Sequence, residues 1–527
     1  MNPNIAANQQ RLFLDFVAQL RPHVRRDSSL PRRIKELMAR HRAIGSRDRK
    51  LYRELVYTWL RYLPWIDGAR QREDGQTAGL APTAGSEAGG VRSAGAPRAS
   101  DEHPQLSPEL QAKITAWLAP ELKPTSLYRA AHCADWPQVP PTLAEKAAVL
   151  AGLVGRANPP DEPSSPPAAR RDGSPYQPSE PSAFSFQPSA LLPAWFSEHC
   201  PAAFTSPHLD ALNSRANVWV RIQANDRNLV LDEFKAQGWA IESPAGFPDA
   251  LCLPPNAEVA ASDAYRRGFV EIQDLGSQLV LAHAPLPLTG RWLDACAGAG
   301  GKTLQLARLL GDAGHVDATD IRVEILDELD DRAKRARLDN ITIVRDPMHS
   351  KSVIARSPAP QGDAAIQQDD LSDVALAKSE AIHLDRHGAL RAPRDDKGIP
   401  LAGTAYDGIL VDAPCSGSGT WRRQPHLKWY VKPGTIAAFA KTQLEILTLN
   451  APRVKPGGLL IYATCSLSHH ENQDVAAAFL QAHPNFKAEP PPQTHGGTFD
   501  GLGTSLLPGT LNTDGFYVAI LRKLAAS

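Results

Sequence analysis

The sequence predicts an α/β protein whose C-terminal half is a doubly wound, Rossmann-like parallel sheet, preceded by an all-helical domain and a small α+β domain. Three patterns carry that reading. Residues 271–527 alternate short apolar runs with amphipathic stretches, as strands joined by crossover helices require. Residues 1–156 repeat apolar side chains at three-to-four spacing, as in Phe13, Phe16, Val17 and Leu20, then Leu51, Leu55, Val56, Trp59 and Leu60. Between them, in 189–270, Val218, Val220 and Ile222 alternate as a strand does, and a helical stretch follows at 228–237.

A chain of 527 residues exceeds what one core can organise, so about three domains are expected. Residues 68–106 hold almost nothing apolar and read as a disordered insert within the helical domain, because helical spacing resumes at Leu110, Ile114 and Leu118. Residues 157–188 are rich in Pro and Ser and read as a linker. In the C-terminal half, strands are expected at 292–293, 316–319, 341–345, 408–411 and 459–464. The gap before the fourth is too long for a connection, so about 347–405 reads as a surface insertion. No apolar run is long enough to span a membrane and the N-terminus lacks the order of a signal peptide, which predicts a cytoplasmic protein with no membrane partner. Six cysteines without CxxC spacing predict neither a disulfide framework nor a metal site. Net charge is zero, yet residues 1–70 carry fifteen Lys and Arg against six Asp and Glu, an excess suited to a phosphate backbone. Nothing indicates an oligomeric partner.

After the first strand of the C-terminal half comes Asp294, followed by the loop Cys296, Ala297, Gly298, Ala299, Gly300, Gly301 and Lys302, which leads into a helix. Backbone can approach a ligand closely there. The loop fails the phosphate-loop pattern at its first position, where Cys296 stands for Gly, and fails GxGxxG at its last. Asp294, Asp320, Asp346 and Asp412 stand at or near strand ends, the edge where open parallel sheets bind ligands. Four carboxylates repel a polyphosphate and suit S-adenosylmethionine: Asp320 fits the ribose hydroxyls and Asp346 the adenine amine.

Two cysteines also fall at strand ends, Cys415 in Asp412-Ala413-Pro414-Cys415 and Cys465 in Thr464-Cys465-Ser466. If the two strands are neighbours, roughly 5 Å apart, both thiols face one cleft. Carbon 5 of cytosine is a poor nucleophile, but a thiolate added at carbon 6 makes it enamine-like and able to attack a sulfonium methyl. Asp412 is placed to hydrogen-bond the ring nitrogen or exocyclic amine as electron density builds there. Spacing alone does not choose between the two sulfurs.

The stretches 272–278, 294–303, 412–429, 455–466 and the terminal GFYVAILRK resemble the Sun (Fmu) family of RNA cytosine-5 methyltransferases, covering the C-terminal half continuously. The resemblance implies a class I methyltransferase domain that uses S-adenosylmethionine. It also implies Cys465 as the covalent nucleophile, Cys415 as the thiol that assists release, and Cys296 to Lys302, Asp320, Asp346 and Asp412 around the cofactor and base. The family usually has Pro where this chain has Ala299. Residues 45–67 resemble the RsmB-like ribosomal branch, with its NusB-type helical domain, which implies small-subunit ribosomal RNA as the substrate. Arg422, Arg423 and Lys428, with His426, Trp421 and Trp429 among them, are candidates for RNA contact. The alternatives are a transfer-RNA substrate, or a non-catalytic RNA-binding factor in ribosome assembly. Intact Cys415 and Cys465 argue against the latter.

Overall fold

The computed structural model describes residues 2–41, 44–67, 106–157, 186–285, 287–345 and 404–525. All but the last residue of the expected insert 68–106, most of the expected linker and insertion, and Asp346 lie outside the described residues. The chain divides into two compact units, residues 1–18 with 43–194 and residues 19–42 with 195–527.

The first unit is helical among its described residues, with helices at Ser46–Arg61, Leu63–Asp67, Pro108–Leu118, Lys123–His132 and Leu143–Ala157 after the N-terminal helix Pro3–Leu20. Phe16 meets the edge of Tyr52 with ring centroids 5.2 Å apart, and Leu55, Trp59, Ile114 and Trp117 are fully buried. Helix Pro108–Leu118 starts where the residue types dictate. Ser107 accepts from Leu110 N at 3.2 Å, and Pro108 occupies a position whose N–H has no helical partner.

Residues 19–42 group with the second unit rather than with the rest of the expected segment 1–156. Their helix Leu30–Arg40 buries Leu30, Ile34, Leu37 and Met38 along one stripe and exposes Arg32, Arg33, Lys35 and Arg40. Periodicity shows that such a stripe is buried but not which core buries it.

The second unit contains a small antiparallel sheet of β1 (Val218–Ile222), β2 (Ala250–Leu253) and β3 (Val270–Ile272), in the order β2-β1-β3. Val218, Val220 and Ile222 pack with Val230 and Phe234 of helix Arg227–Ala236. Asp226 caps that helix by accepting from Asn228 N.

The larger sheet is built from β4 (Gly290–Asp294), β5 (Gly314–Ala318), β6 (Ile341–Ile343), β7 (Tyr406–Asp412), β8 (Val454–Thr464), β9 (Phe486–Glu489), β10 (Thr498–Phe499), β11 (Thr504–Leu506) and β12 (Phe516–Lys523). Its path runs β10-β11-β12-β8-β7-β4-β5-β6, with β9 on β12. Strands β4 to β8 are parallel, whereas β12 and its neighbours run antiparallel, so the sheet is mixed. From β4 the chain winds outward through β5 and β6, then returns to place β7 and β8 on the other side. The crevice at that reversal lies beyond the carboxyl ends of β4 and β7.

Alternation along the strands sends successive side chains to opposite faces. Leu293, Ile409, Val411, Leu460 and Tyr462 pack with Ile446, Leu447, Val475 and Phe479 from helices Pro433–Asn450 and Gln473–Ala482. Trp292, Leu410, Ile461 and Ala463 pack with Val280, Leu281, Leu306 and Leu310 from helices Leu275–Ala282 and Gly301–Leu310. Helices thus cover both faces, a Rossmann-like arrangement.

The centre of the sheet has no spare volume. A methyl group at Gly408 would stand 2.4 Å from the Trp292 ring. Gly408→Ala should lower the denaturation midpoint at unchanged denaturant slope, at a cost of about 1–3 kcal/mol. A midpoint equal to that of the parent chain would show that the indole moves aside freely.

Candidate active site

The glycine loop is held from three directions. Gly300 ends it at φ 89°, where L side chains are strained, and an added Cβ would come within 2.6 Å of Leu329 Cγ. Asp294 receives Thr303 Oγ1 at 2.7 Å and Cys296 N at 3.3 Å, which ties the strand end to the helix that follows. Asp320, just beyond β5, accepts Gly298 N at 2.8 Å and the backbone N–H of Arg322 at 2.9 Å. The carbonyl of Ala299 receives Arg332 Nη1 at 2.8 Å. Arg332 and Arg335 in turn bracket the buried Glu271 at 2.9 and 2.7 Å.

This end of the sheet is electronegative. Burial pushes the Cys296 thiol far up, and Asp320, Asp294 and Asp412 add to it, so Cys296 lines the loop as an inert thiol. Burial also raises the Asp294 carboxyl to about 7, with Asp412 adding and Thr303 opposing. Lys302, expected to line the cofactor, donates to Asp412 Oδ2 at 2.6 Å and lies over the Phe516 ring. It neutralises a carboxylate instead of presenting a cation. A field of this sign suits a cationic ligand and opposes a polyphosphate.

The pairing of β7 with β8 brings the two distant cysteines together. Asp412 lies opposite Ala463, so three residues onward on one strand and two on the other end at the same place. Cys415 Sγ and Cys465 Sγ are 3.2 Å apart. The contact with Cys465 raises the Cys415 thiol well above its ordinary value, with burial adding. The shift favours the protonated form of Cys415, and the two sulfurs lie within hydrogen-bond reach of each other.

A buried carboxylate fixes this arrangement. Glu471 is fully buried. It accepts Ser416 N at 2.7 Å, Ser416 Oγ at 2.5 Å, Ser466 Oγ at 2.6 Å and Gln443 Nε2 at 3.2 Å. Ser416 follows Cys415 and Ser466 follows Cys465, so one side chain bonds both thiol-bearing turns. Gln443 also donates to Pro414 O at 2.9 Å, and Gly419 N donates to Cys465 O at 2.9 Å. The sequence reading missed Glu471, Gln443 and the two serines. The available signal was weak: paired serines, each following a cysteine, and a carboxylate six residues beyond the second thiol.

Three predicted RNA contacts are corrected. Arg422 is 1% exposed and donates to Thr513 O and Asn512 Oδ1. Arg423 bridges Asp274 and Asp514, and Lys428, with no exposure, donates to Asn213 Oδ1 at 2.7 Å. Arg422 and Lys428 are buried and Arg423 is half-buried, and each is engaged by acceptors within the protein. His426 lies among them and is pushed down to about 4 by burial, so it is neutral, and Trp421 is wholly buried. Asp346 lies outside the described residues.

Two outcomes follow from the buried carboxylates. Folded Asp294 holds its proton to about pH 7, whereas unfolded it releases it near the ordinary 3.8. Between those values the folded chain binds more protons, so stability falls as pH rises through the window and levels off above it. Denaturation midpoints across that range should show the decline in the parent chain and lose it in Asp294→Asn; identical profiles would refute the assignment. Glu471→Gln turns one acceptor into a donor facing donors. It should cost about 1–3 kcal/mol in denaturant titrations, and an unchanged midpoint would show that the clamp carries no strain.

The geometry has counterparts. Residues 285–357 and 387–522 match the model of the family described as 16S rRNA methyltransferase RsmB/F. The chain is 31% identical over 307 residues to a probable ribosomal RNA small subunit methyltransferase B of Bacillus subtilis, a match spanning 56% of this chain and 57% of that one. It is 30% identical over 321 residues to the ribosomal RNA small subunit methyltransferase B of Vibrio cholerae, spanning 60% and 61%. The matches therefore span less than two thirds of these relatives' lengths. The solved structure of PH0851 covers 99% of both chains at 18% identity with a TM-score of 0.57, a likeness of fold. The glycine loop, both thiols and the central strands of the sheet all fall on the two stretches that resemble the RsmB/F family.

Proposed function

We propose that the chain transfers a methyl group from S-adenosylmethionine to carbon 5 of a cytosine in RNA, in small-subunit ribosomal RNA, through a covalent bond between Cys465 and the base. The observation that carries this is the pair of sulfurs 3.2 Å apart at adjacent strand ends. The family match and the electronegative loop beside the thiols support it.

S-adenosylmethionine supplies the electrophilic methyl. In this reading the loop from Cys296 to Lys302 holds it, with Asp320 toward the ribose and Asp346 toward the adenine. The carboxylates of Asp320 and Asp412 suit its sulfonium and ammonium groups. The Cys465 thiolate adds to carbon 6 of a cytosine that has left any stack, and carbon 5 becomes nucleophilic. Asp412, with Oδ2 held by Lys302, turns its other oxygen to the exocyclic amine. After methylation a solvent water takes the carbon-5 proton, the electron pair of that bond restores the 5,6 double bond, and the bond from sulfur to carbon 6 breaks with its pair returning to Cys465. The Cys415 S–H then stabilises the departing Cys465 thiolate.

The RNA path belongs to the same proposal. Residues 1–156 act as a NusB-like RNA-binding domain, 157–188 as a linker, 189–270 as a subdomain shaping the path, and 271–527 as the catalytic domain. With Arg422 and Lys428 buried and Arg423 held by Asp274 and Asp514, backbone contact falls to exposed cations such as Arg25, Arg26, Arg32, Lys35 and Arg40. A cytoplasmic location fits this substrate, and no helix among the described residues is long and apolar enough to cross a membrane.

Incubation with labelled S-adenosylmethionine and small-subunit ribosomal RNA tests the reading. Cys465→Ala should abolish carbon-5 methylation, while Cys415→Ala should accumulate a protein–RNA adduct stable to denaturation. Adduct in the Cys465 variant instead would exchange the two roles, and full-rate methylation without Cys465 would end the proposal.

A further inference from the structure

The turn that follows Cys465 carries a second cluster of donor groups on its outer side. The short helix His469–Glu471 leads into helix Gln473–Ala482, and the two together bring His469, His470 and Asp474 to one point. His469 Nδ1 is 3.2 Å and His470 Nδ1 2.7 Å from the same oxygen, Asp474 Oδ2. The three donor atoms all lie within 4.8 Å of one another. A third imidazole, His199, comes from a remote segment and rests against His470 with ring centroids 4.8 Å apart. Its Nδ1 is 2.9 Å from Ser468 Oγ, in the turn just before the pair.

Two imidazoles and one carboxylate gathered this closely form a recognisable donor set, with a third ring beside them. A divalent cation takes the lone pairs of neutral rings and the carboxylate together. At a metal–ligand distance of about 2.0–2.1 Å, tetrahedral donors stand about 3.4 Å apart. The two measured separations from Asp474 Oδ2 need only small adjustments to reach that. Imidazole nitrogen favours zinc, nickel or copper over magnesium or calcium, which prefer all-oxygen shells. The three side chains are between 42% and 53% exposed, so an ion can enter and water can complete its shell.

We propose that His469, His470 and Asp474 form a binding site for a borderline transition-metal cation such as Zn2+, with His199 as the neighbouring ring able to join it. Cysteine spacing alone predicted no metal, because this donor set is mainly histidine and closes across a turn. The site adjoins the clamp. His470 immediately precedes Glu471, so an ion there pins the turn from which Glu471 reaches both thiol-bearing segments.

The test uses the full chain with Cys415→Ser and Cys465→Ser, which removes the thiol pair as a competing ligand, and titrates the metal-free protein with Co2+ and Zn2+. One equivalent of Co2+ should bind with d–d absorption and no thiolate charge-transfer band, and Zn2+ should displace it. Combining His469→Ala with His470→Ala, or introducing Asp474→Asn alone, should weaken binding at least tenfold while circular dichroism shows the fold intact. His483→Ala, at the far end of the same helix, should leave binding unchanged. Failure of Co2+ to bind stoichiometrically, or equal binding by the His469, His470 and Asp474 variants, would overturn the site. Neither result bears on the methyl-transfer reading, since the thiols are absent throughout.

Discussion

The in-register parallel pairing of β7 with β8 is the constraint from which the rest of the site follows. Cys415 and Cys465 are fifty residues apart in sequence, and only a ladder that sets Asp412 opposite Ala463 puts their sulfurs in contact. A slip of one residue in either strand would turn one thiol toward the opposite face of the sheet. The register is secured below by alternating Ile409, Val411, Leu460 and Tyr462, which must enter one core, and above by the turns that Glu471 bonds together.

Buried charge is arranged with consistent logic at this end of the molecule. Glu271, Asp274, Asp514 and Asp412 each meet a Lys or Arg, and Glu471 is satisfied by neutral donors alone. Replacing the paired ions by apolar side chains would not hold loops at fixed heights, because dispersion contacts are not directional. The ion pairs of Arg423 join segments far apart in the chain, those around Asp274 and Asp514. This explains why a run of cations that reads in sequence as a nucleic-acid surface is internal.

Two features of the thiol site depend on that architecture. The contact with a second sulfur, and burial after it, raise the Cys415 thiol well above its ordinary value. The loop beside them owes its form to Gly300 and its fixed position to bonds with Arg332 and Asp320.

The sequence by itself determined the elements with strong local signals. Short apolar runs in 408–411 and 459–464 located the central strands, the small residues of 296–301 located the loop, and Asp-Ala-Pro-Cys with Thr-Cys-Ser marked both thiols. Periodicity, backbone freedom and residue chemistry are properties of neighbours in the chain, so they can be read there. Tertiary structure alone decided that residues 19–42 group with 195–527, that β12 joins the sheet antiparallel, that Arg422 and Lys428 are buried, that Arg423 bridges Asp274 and Asp514, and that Glu471 bonds both cysteine turns. Each of those depends on which surface or acceptor a side chain meets across the fold, and no spacing along the chain encodes that meeting.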